Sequence, residues 1–196
     1  MKVDFVIKNK NLYFLQLRKD KMQCSNCKLS EYRTNIVTTR CINFIDKIDI
    51  CFVGEAPGMG EDVIGLPFIG AAGKFFETNL INKIYDVKKY SMAFTNVIMC
   101  RPTDKIGGEN REPTKTEIKS CKENFLNILN TLKPKIVVFL GIISKNAYLN
   151  LLKRKYICYY IIHPSALLQT GGVNSPYYLR ALRQIKEIFY AIDSSR

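Results

Sequence analysis

The sequence is short of histidine, of acid and of long apolar runs. It has one histidine, His163, and 17 acidic residues against 30 basic ones. No stretch approaches the ~20 apolar residues of a membrane-spanning helix. With no lipidation or secretory pattern at its start, the chain is expected off the membrane, in the cytoplasm or on the nucleoid, or inside a host cell if its source is viral. The scarcity of acid leaves a formal net charge of +13, spread over many segments instead of confined to a tail. A polyanion is the expected partner, nucleic acid before any membrane surface. The glycine-rich stretch 54–73 (GEAPGMGEDVIGLPFIGAAG) also lacks the Gly-Lys-Ser/Thr ending of a phosphate-binding loop, which excludes that reading.

Seven cysteines, an odd number, argue against a disulfide framework and for a reducing compartment. Cys24-x2-Cys27, with Cys100 and Cys121 each at the start of a structured segment, is consistent with four thiolates around one metal centre. Spacing alone leaves zinc and an iron–sulfur cluster both open. Cys51 and Cys158 lie inside strand patterns and, with Cys41, read as small apolar residues.

At 196 residues the chain is expected to be one domain over 1–196, with no repeat or low-complexity block. A short basic helix is expected over 11–22. The stretch 28–46 shows no sustained periodicity and is expected to be irregular, with Arg33 and Arg40 contributing charge. Apolar runs predict strands over 48–53, 92–99, 135–140 and 156–162. Between them run helical patterns: one from about residue 74 with Phe76, Leu80, Ile81 and Ile84 on one face, one started by the capping box Thr114-x-x-Glu117, and one after Gly141. A last helix buries Leu182, Ile185, Phe189 and Ile192. Strands alternating with helices predict a three-layer α/β/α sandwich with a central four-stranded parallel sheet. The loops after strands one, two and four then leave the same edge, where open α/β sheets bind their ligands.

The loop 54–73, TNVIMCRP with NREPT further on, Cys121, KIVVFLG and HPSALL are similar, in this order, to the iron–sulfur members of the uracil-DNA glycosylase superfamily, family 4. The resemblance runs from about Cys24 to Leu168. It implies a 4Fe–4S cluster on Cys24, Cys27, Cys100 and Cys121, with zinc as the runner-up, and an N-terminal cluster-binding segment of about 11–40. It also implies a monomer that removes uracil from single- or double-stranded DNA and leaves an abasic site. The sequence departs from the family in two places. The 20 residues between Cys100 and Cys121 include a surplus around 103–108 that holds no histidine, so covalent trapping on the abasic sugar is not expected. Met59 and Gly60 replace more acidic residues.

Roles follow by position. Gly54, Glu55, Ala56, Pro57, Glu61, Phe68, Asn96 and His163 are the implied substrate-binding set, with Glu55 and His163 catalytic. A flipped pyrimidine needs a stacking face, which Phe68 offers. The Asn96 carboxamide matches uracil N3–H and O4, whereas cytosine presents the opposite pattern. His163 donates to O2 as charge develops there. Glu55 serves the sugar side, orienting water or stabilising the cationic sugar. Glu61 closes the pocket against a 5-methyl group, Asp62 fixes the loop, and Leu167 or Leu168 wedges into the duplex. Arg101, Arg111 and nearby lysines are expected along the phosphates. The competing readings are a glycosylase of the same fold for another modified pyrimidine, a non-catalytic iron–sulfur nucleic-acid-binding or polymerase accessory module, and an electron-transfer protein.

Overall fold

Strand β2 (Ile50–Gly54) is apolar throughout because both its faces are buried: Ile50 and Phe52 enter one core cluster, Cys51 and Val53 the other. The computed structural model describes residues 23–44, 47–84 and 86–194, so the helix expected over 11–22, and that part of the segment 11–40, lie outside the described residues. Strand β3 (Met92–Asn96) and strand β4 (Ile136–Leu140) flank β2 in parallel, and β5 (Ile157–Ile161) pairs in parallel with β4. These are the four strands that the apolar runs predict.

A fifth strand corrects the expected count. β1 (Thr39–Ile42) pairs antiparallel with β3, with Arg40 opposite Phe94, and the sheet order is β1-β3-β2-β4-β5. The stretch 28–46 is therefore not irregular throughout; it also carries a short helix, α1 (Leu29–Tyr32). Its strand is only four residues long and half polar, TRCI, so no apolar run announces it. The β3 backbone, not a β1 side-chain pattern, is what holds it in place.

The loop after β2 likewise holds a short helix, α2 (Met59–Ile64), closed by Gly65 in the left-handed conformation. Helix α3 (Ala71–Asn79) then starts three residues before the expected position and passes into a 3-10 turn at Ile81–Lys83. Helix α4 (Lys115–Leu132) is capped as its sequence predicts: Thr114 Oγ1 accepts from Glu117 N at 3.2 Å, while the Glu117 carboxylate accepts from Thr114 N at 2.8 Å. Helices α5 (Ile142–Leu152), α6 (Pro164–Gln169) and α7 (Tyr178–Asp193) follow.

The helices cover both faces of the sheet. Phe76 and Leu80 on or just beyond α3, and Ile185, Phe189 and Ile192 on α7, pack over Ile50, Phe52, Phe94 and Val138. Phe125, Ile128 and Leu129 on α4 and Tyr148 and Leu152 on α5 cover Cys51, Val53, Val137 and Phe139. The result is a three-layer α/β/α sandwich. From β2 the chain moves one way to β3 and the other way to β4, so the connections diverge and open a crevice at the carboxyl ends of the strands. Among the described residues, no helix is long and apolar enough to cross a membrane.

Candidate functional site

The crevice has two lobes. One, of about 370 Å³, is lined by Glu61, Phe68 and Asn96; the other, of about 320 Å³, by Glu55, Pro57 and Glu112. Ala56, Gly58, Asn110 and His163 line both. Gly54 lies behind the first lobe, and its missing side chain is what lets the walls meet. A Cβ there would stand 2.4 Å from Asn96 Oδ1 and 2.9 Å from Phe68 Cζ. The folded chain thus gathers Glu55, Ala56, Pro57, Glu61, Phe68, Asn96 and His163 from three loops. It adds Asn110, which opens the NREPT motif but to which that motif assigns no role.

Asn96 ends β3 at 3% exposure, and its Nδ2 has no hydrogen-bond partner among the described residues. An orphaned buried donor costs about 1–3 kcal/mol, a cost that a ligand accepting from it removes. Phe68 is held at φ +61°, in the left-handed region that costs an ordinary residue about 1–2 kcal/mol. Its ring tilts at 52° against Phe94, centroids 5.4 Å apart. Backbone strain of this kind clusters at ligand sites.

His163 caps α6. Its Nδ1 accepts from Ser165 N at 3.2 Å and stands 2.6 Å from Ser165 Oγ. A nitrogen that accepts a backbone amide carries no proton, so the proton sits on Nε2. Burial lowers the imidazole pKa below 6.5, and the ring is neutral at pH 7. Gly141, at φ +89°, lets the ring approach: a Cβ there would lie 3.0 Å from His163 Cβ. Glu55, at the end of β2, is pushed up to about 7 by burial and then by the neighbouring charge of Glu112.

The remaining expected residues fall partly inside the crevice and partly behind it. The Glu61 carboxylate accepts from Gly58 N at 2.9 Å and Ile69 N at 3.2 Å, pinning the two ends of the loop around α2. Asp62 is buried and accepts from Thr34 N and Asn35 N at 3.0–3.1 Å, fixing the loop to the segment after the CxxC pair. Of the two wedge candidates, Leu167 is excluded because it is core, at 0% exposure; Leu168 stands out at 37%. Arg101 is also removed from the expected phosphate path. It is 3% exposed, donating to Asn110 Oδ1 at 2.5 Å and to the Gly108 carbonyl, and so braces the surplus loop from within. Arg111 is forked onto Glu117 at 2.8 and 2.9 Å and paired with Asp104 at 2.7 Å. Lys105, Lys115 and Lys119 remain exposed beside them.

Cys24, Cys27, Cys100 and Cys121 line one separate cavity with Arg33, Ile98 and Glu117. Burial pushes the Cys100 thiol up to about 12 and the Cys121 thiol up to about 11. Arg33 opposes this at Cys100, its Nη1 standing 3.8 Å from the sulfur. Among the described residues, no three His, Cys, Asp or Glu side chains converge closely enough to hold a single metal ion.

Fold and crevice first define a class: α/β sandwiches whose ligand site lies at the carboxyl ends of parallel strands. Within that class the chain belongs to the Uracil DNA glycosylase superfamily, whose sequence model matches residues 43–186, starting after the CxxC pair. It is similar to a protein of Sulfurisphaera tokodaii named Type-4 uracil-DNA glycosylase, at 38% identity over 126 residues, 64% of this chain and 53% of that one. Proteins of the same name from Saccharolobus solfataricus and Pyrobaculum aerophilum are 37% and 35% identical over 61% and 67% of this chain, and 51% and 62% of their own lengths. The chain therefore spans about half the length of the first curated relatives it matches.

Proposed function

We propose that the chain is a monofunctional uracil-DNA glycosylase that acts as a single-domain monomer wherever the cell keeps its DNA, cytoplasm or nucleoid. The observation that carries this reading is the unpartnered Asn96 amide, buried beside the strained Phe68 ring in a crevice lobe large enough to admit a flipped base. Uracil stacked on Phe68 presents O4 to Asn96 Nδ2–H and N3–H to Asn96 Oδ1. The neutral His163 donates its Nε2–H to O2, where negative charge builds as the N1–C1′ bond breaks and its electron pair leaves with the base. Water attacks C1′ and gives its proton to Glu55, whose pKa of about 7 suits a general base near neutrality. Among the described residues no lysine lines either lobe, which supports water as the nucleophile. Exposed Leu168 is the wedge candidate.

The four-cysteine cavity supports a 4Fe–4S cluster as the resident group. Four cysteines line one cavity, an all-sulfur donor set of the kind that holds an iron–sulfur cluster. Bound there, the group would supply cross-linking between the CxxC segment and α4. Cys24, Cys27, Cys100 and Cys121 would hold it, and Arg33 would offset the thiolate charge.

The test is incubation of purified protein with oligonucleotides carrying uracil, thymine, cytosine, hypoxanthine or hydroxymethylcytosine, followed by alkali. Strand breaks are expected at uracil; none there would overturn the proposal, and breaks only at hydroxymethylcytosine would point to the rival modified-pyrimidine reading. Asn96→Asp is expected to raise activity on cytosine relative to uracil by about 10-fold or more, since mismatched buried groups cost about 1–3 kcal/mol each.

A further inference from the structure

Arg40 lies on β1, the strand that no sequence pattern announces, and its guanidinium runs under the back of the Phe68 turn. Nε donates to the Pro67 carbonyl at 3.2 Å and Nη2 to the Phe68 carbonyl at 3.5 Å. Those carbonyls belong to the two peptide planes on either side of the Phe68 Cα, and rotation of those planes is what φ and ψ of Phe68 describe. One side chain thus grips both planes of a residue held at φ +61°. The guanidinium is fixed in turn from two further sides. It forms an ion pair with Glu77 on α3, and its Cζ lies 4.6 Å from the centroid of Phe94, the ring against which Phe68 tilts. Gly73 completes the seat from α3, since a Cβ there would stand 2.2 Å from the Phe68 carbonyl oxygen.

We infer that Arg40 is the positioning residue for the Phe68 face: it holds the residue in its left-handed conformation and so sets the depth at which a base stacks. This rests on the proposed role of Phe68 as stacking face, but the backbone part of the inference stands without it. The fork geometry is essential. A lysine can keep the charge and the pairing with Glu77, but as a single point donor it cannot hold two carbonyls at fixed angles.

The test uses Arg40→Lys in the full chain. Amide hydrogen exchange at Phe68 and Ile69, measured without any ligand, is expected to speed up at least tenfold while exchange in the β2 and β4 core is unchanged. Unchanged exchange at Phe68 and Ile69 overturns the inference whether or not the protein acts on uracil. Binding of free uracil is expected to weaken about tenfold in Arg40→Lys, and to weaken no further when Arg40→Lys is added to Phe68→Ala. Independent, multiplying effects of the two substitutions would reduce Arg40 to a general structural role and overturn it too. If wild-type protein binds no uracil, the proposed function fails and the exchange measurement alone decides for Arg40. Should Arg40→Lys not fold, Glu77→Gln leaves the fork but frees its anchor. Faster exchange at Phe68 is then the expected result, and unchanged exchange the one that overturns the inference.

Discussion

Near pH 7 the Glu55 carboxyl stands close to half-ionised, because burial and Glu112 together lift it from its ordinary 4.5 to about 7. Only the ionised form accepts a proton from water. kcat/KM for uracil-DNA is therefore expected to rise about tenfold per pH unit below 7 and to level off above it. Glu55→Gln is expected to abolish that rising limb and to slow the reaction at least 100-fold, within the ~10²–10⁴ range of general-base catalysis. The same shift has a stability consequence. Since the folded pKa is the higher one, the stabilisation is complete below 4.5 and is lost as pH rises through about 7. Glu55→Gln should then gain thermal stability relative to wild type above pH 7 and none below pH 4.5, which melting curves at both pH values would check. His163 contributes a fixed, neutral donor. His163→Ala is expected to lower kcat about 10²–10³-fold with little change in KM, and an unchanged kcat would refute its assigned role. Asn96 and His163 were legible as candidates because each sits in a motif at a strand end, and Phe68 because it sits in the glycine-rich loop that follows one. The Glu55 shift and the orphaned Asn96 amide were not, since each depends on what distant residues place nearby, and the Nε2 tautomer needed the local turn of α6 that aims the Ser165 amide at the ring.

Among the elements, α4 shows the most direct passage from sequence to structure. The Thr114-x-x-Glu117 box forms as written, and Glu117 does a second task by accepting the Arg111 fork. Burial alone would raise the Glu117 pKa, but Arg111 and the Thr114 amide outweigh it and hold the carboxyl below its ordinary value. Thr114→Ala is expected to cost about 1 kcal/mol, seen as a fall in Tm of about 2–4 °C for a chain of this size. The short elements behave oppositely. α2 and β1 have no amphipathic period to read, because neither is stabilised by its own buried stripe. α2 is held by Glu61 and Asp62 reaching out to loop backbone, and β1 by its ladder to β3 and by Arg40. Elements formed by polar staples to remote backbone leave little local pattern.

For the whole molecule, the charge of +13 and the cysteine cavity belong together. The proposed cluster would tie the CxxC segment to α4, on the side of the protein that carries Lys105, Lys115 and Lys119, close to the surplus loop braced by Arg101. Affinity for uracil-free duplex is expected to fall linearly on a log–log plot against salt, by about 0.9 for each phosphate contacted. Cys24→Ser is expected to lose visible thiolate-to-iron absorption, to bind that duplex more weakly and to keep its preference among bases. Unchanged binding with the absorption fully lost would remove the proposed structural link.

The sequence by itself determined the four parallel strands, the capped helix, and the strand-end loops whose residues meet at one crevice. Apolar runs, capping boxes and strand-end motifs are local, and local chemistry suffices to read them. Only the tertiary structure decided that β1 completes the sheet, that Arg40 serves the Phe68 turn, that Arg101 is buried inside the protein, and that Leu168 and not Leu167 faces outward. Each of these turns on burial or on a partner far away in the chain. Solvent exposure and hydrogen-bond partners are properties of the folded neighbourhood, so no window of residues contains them.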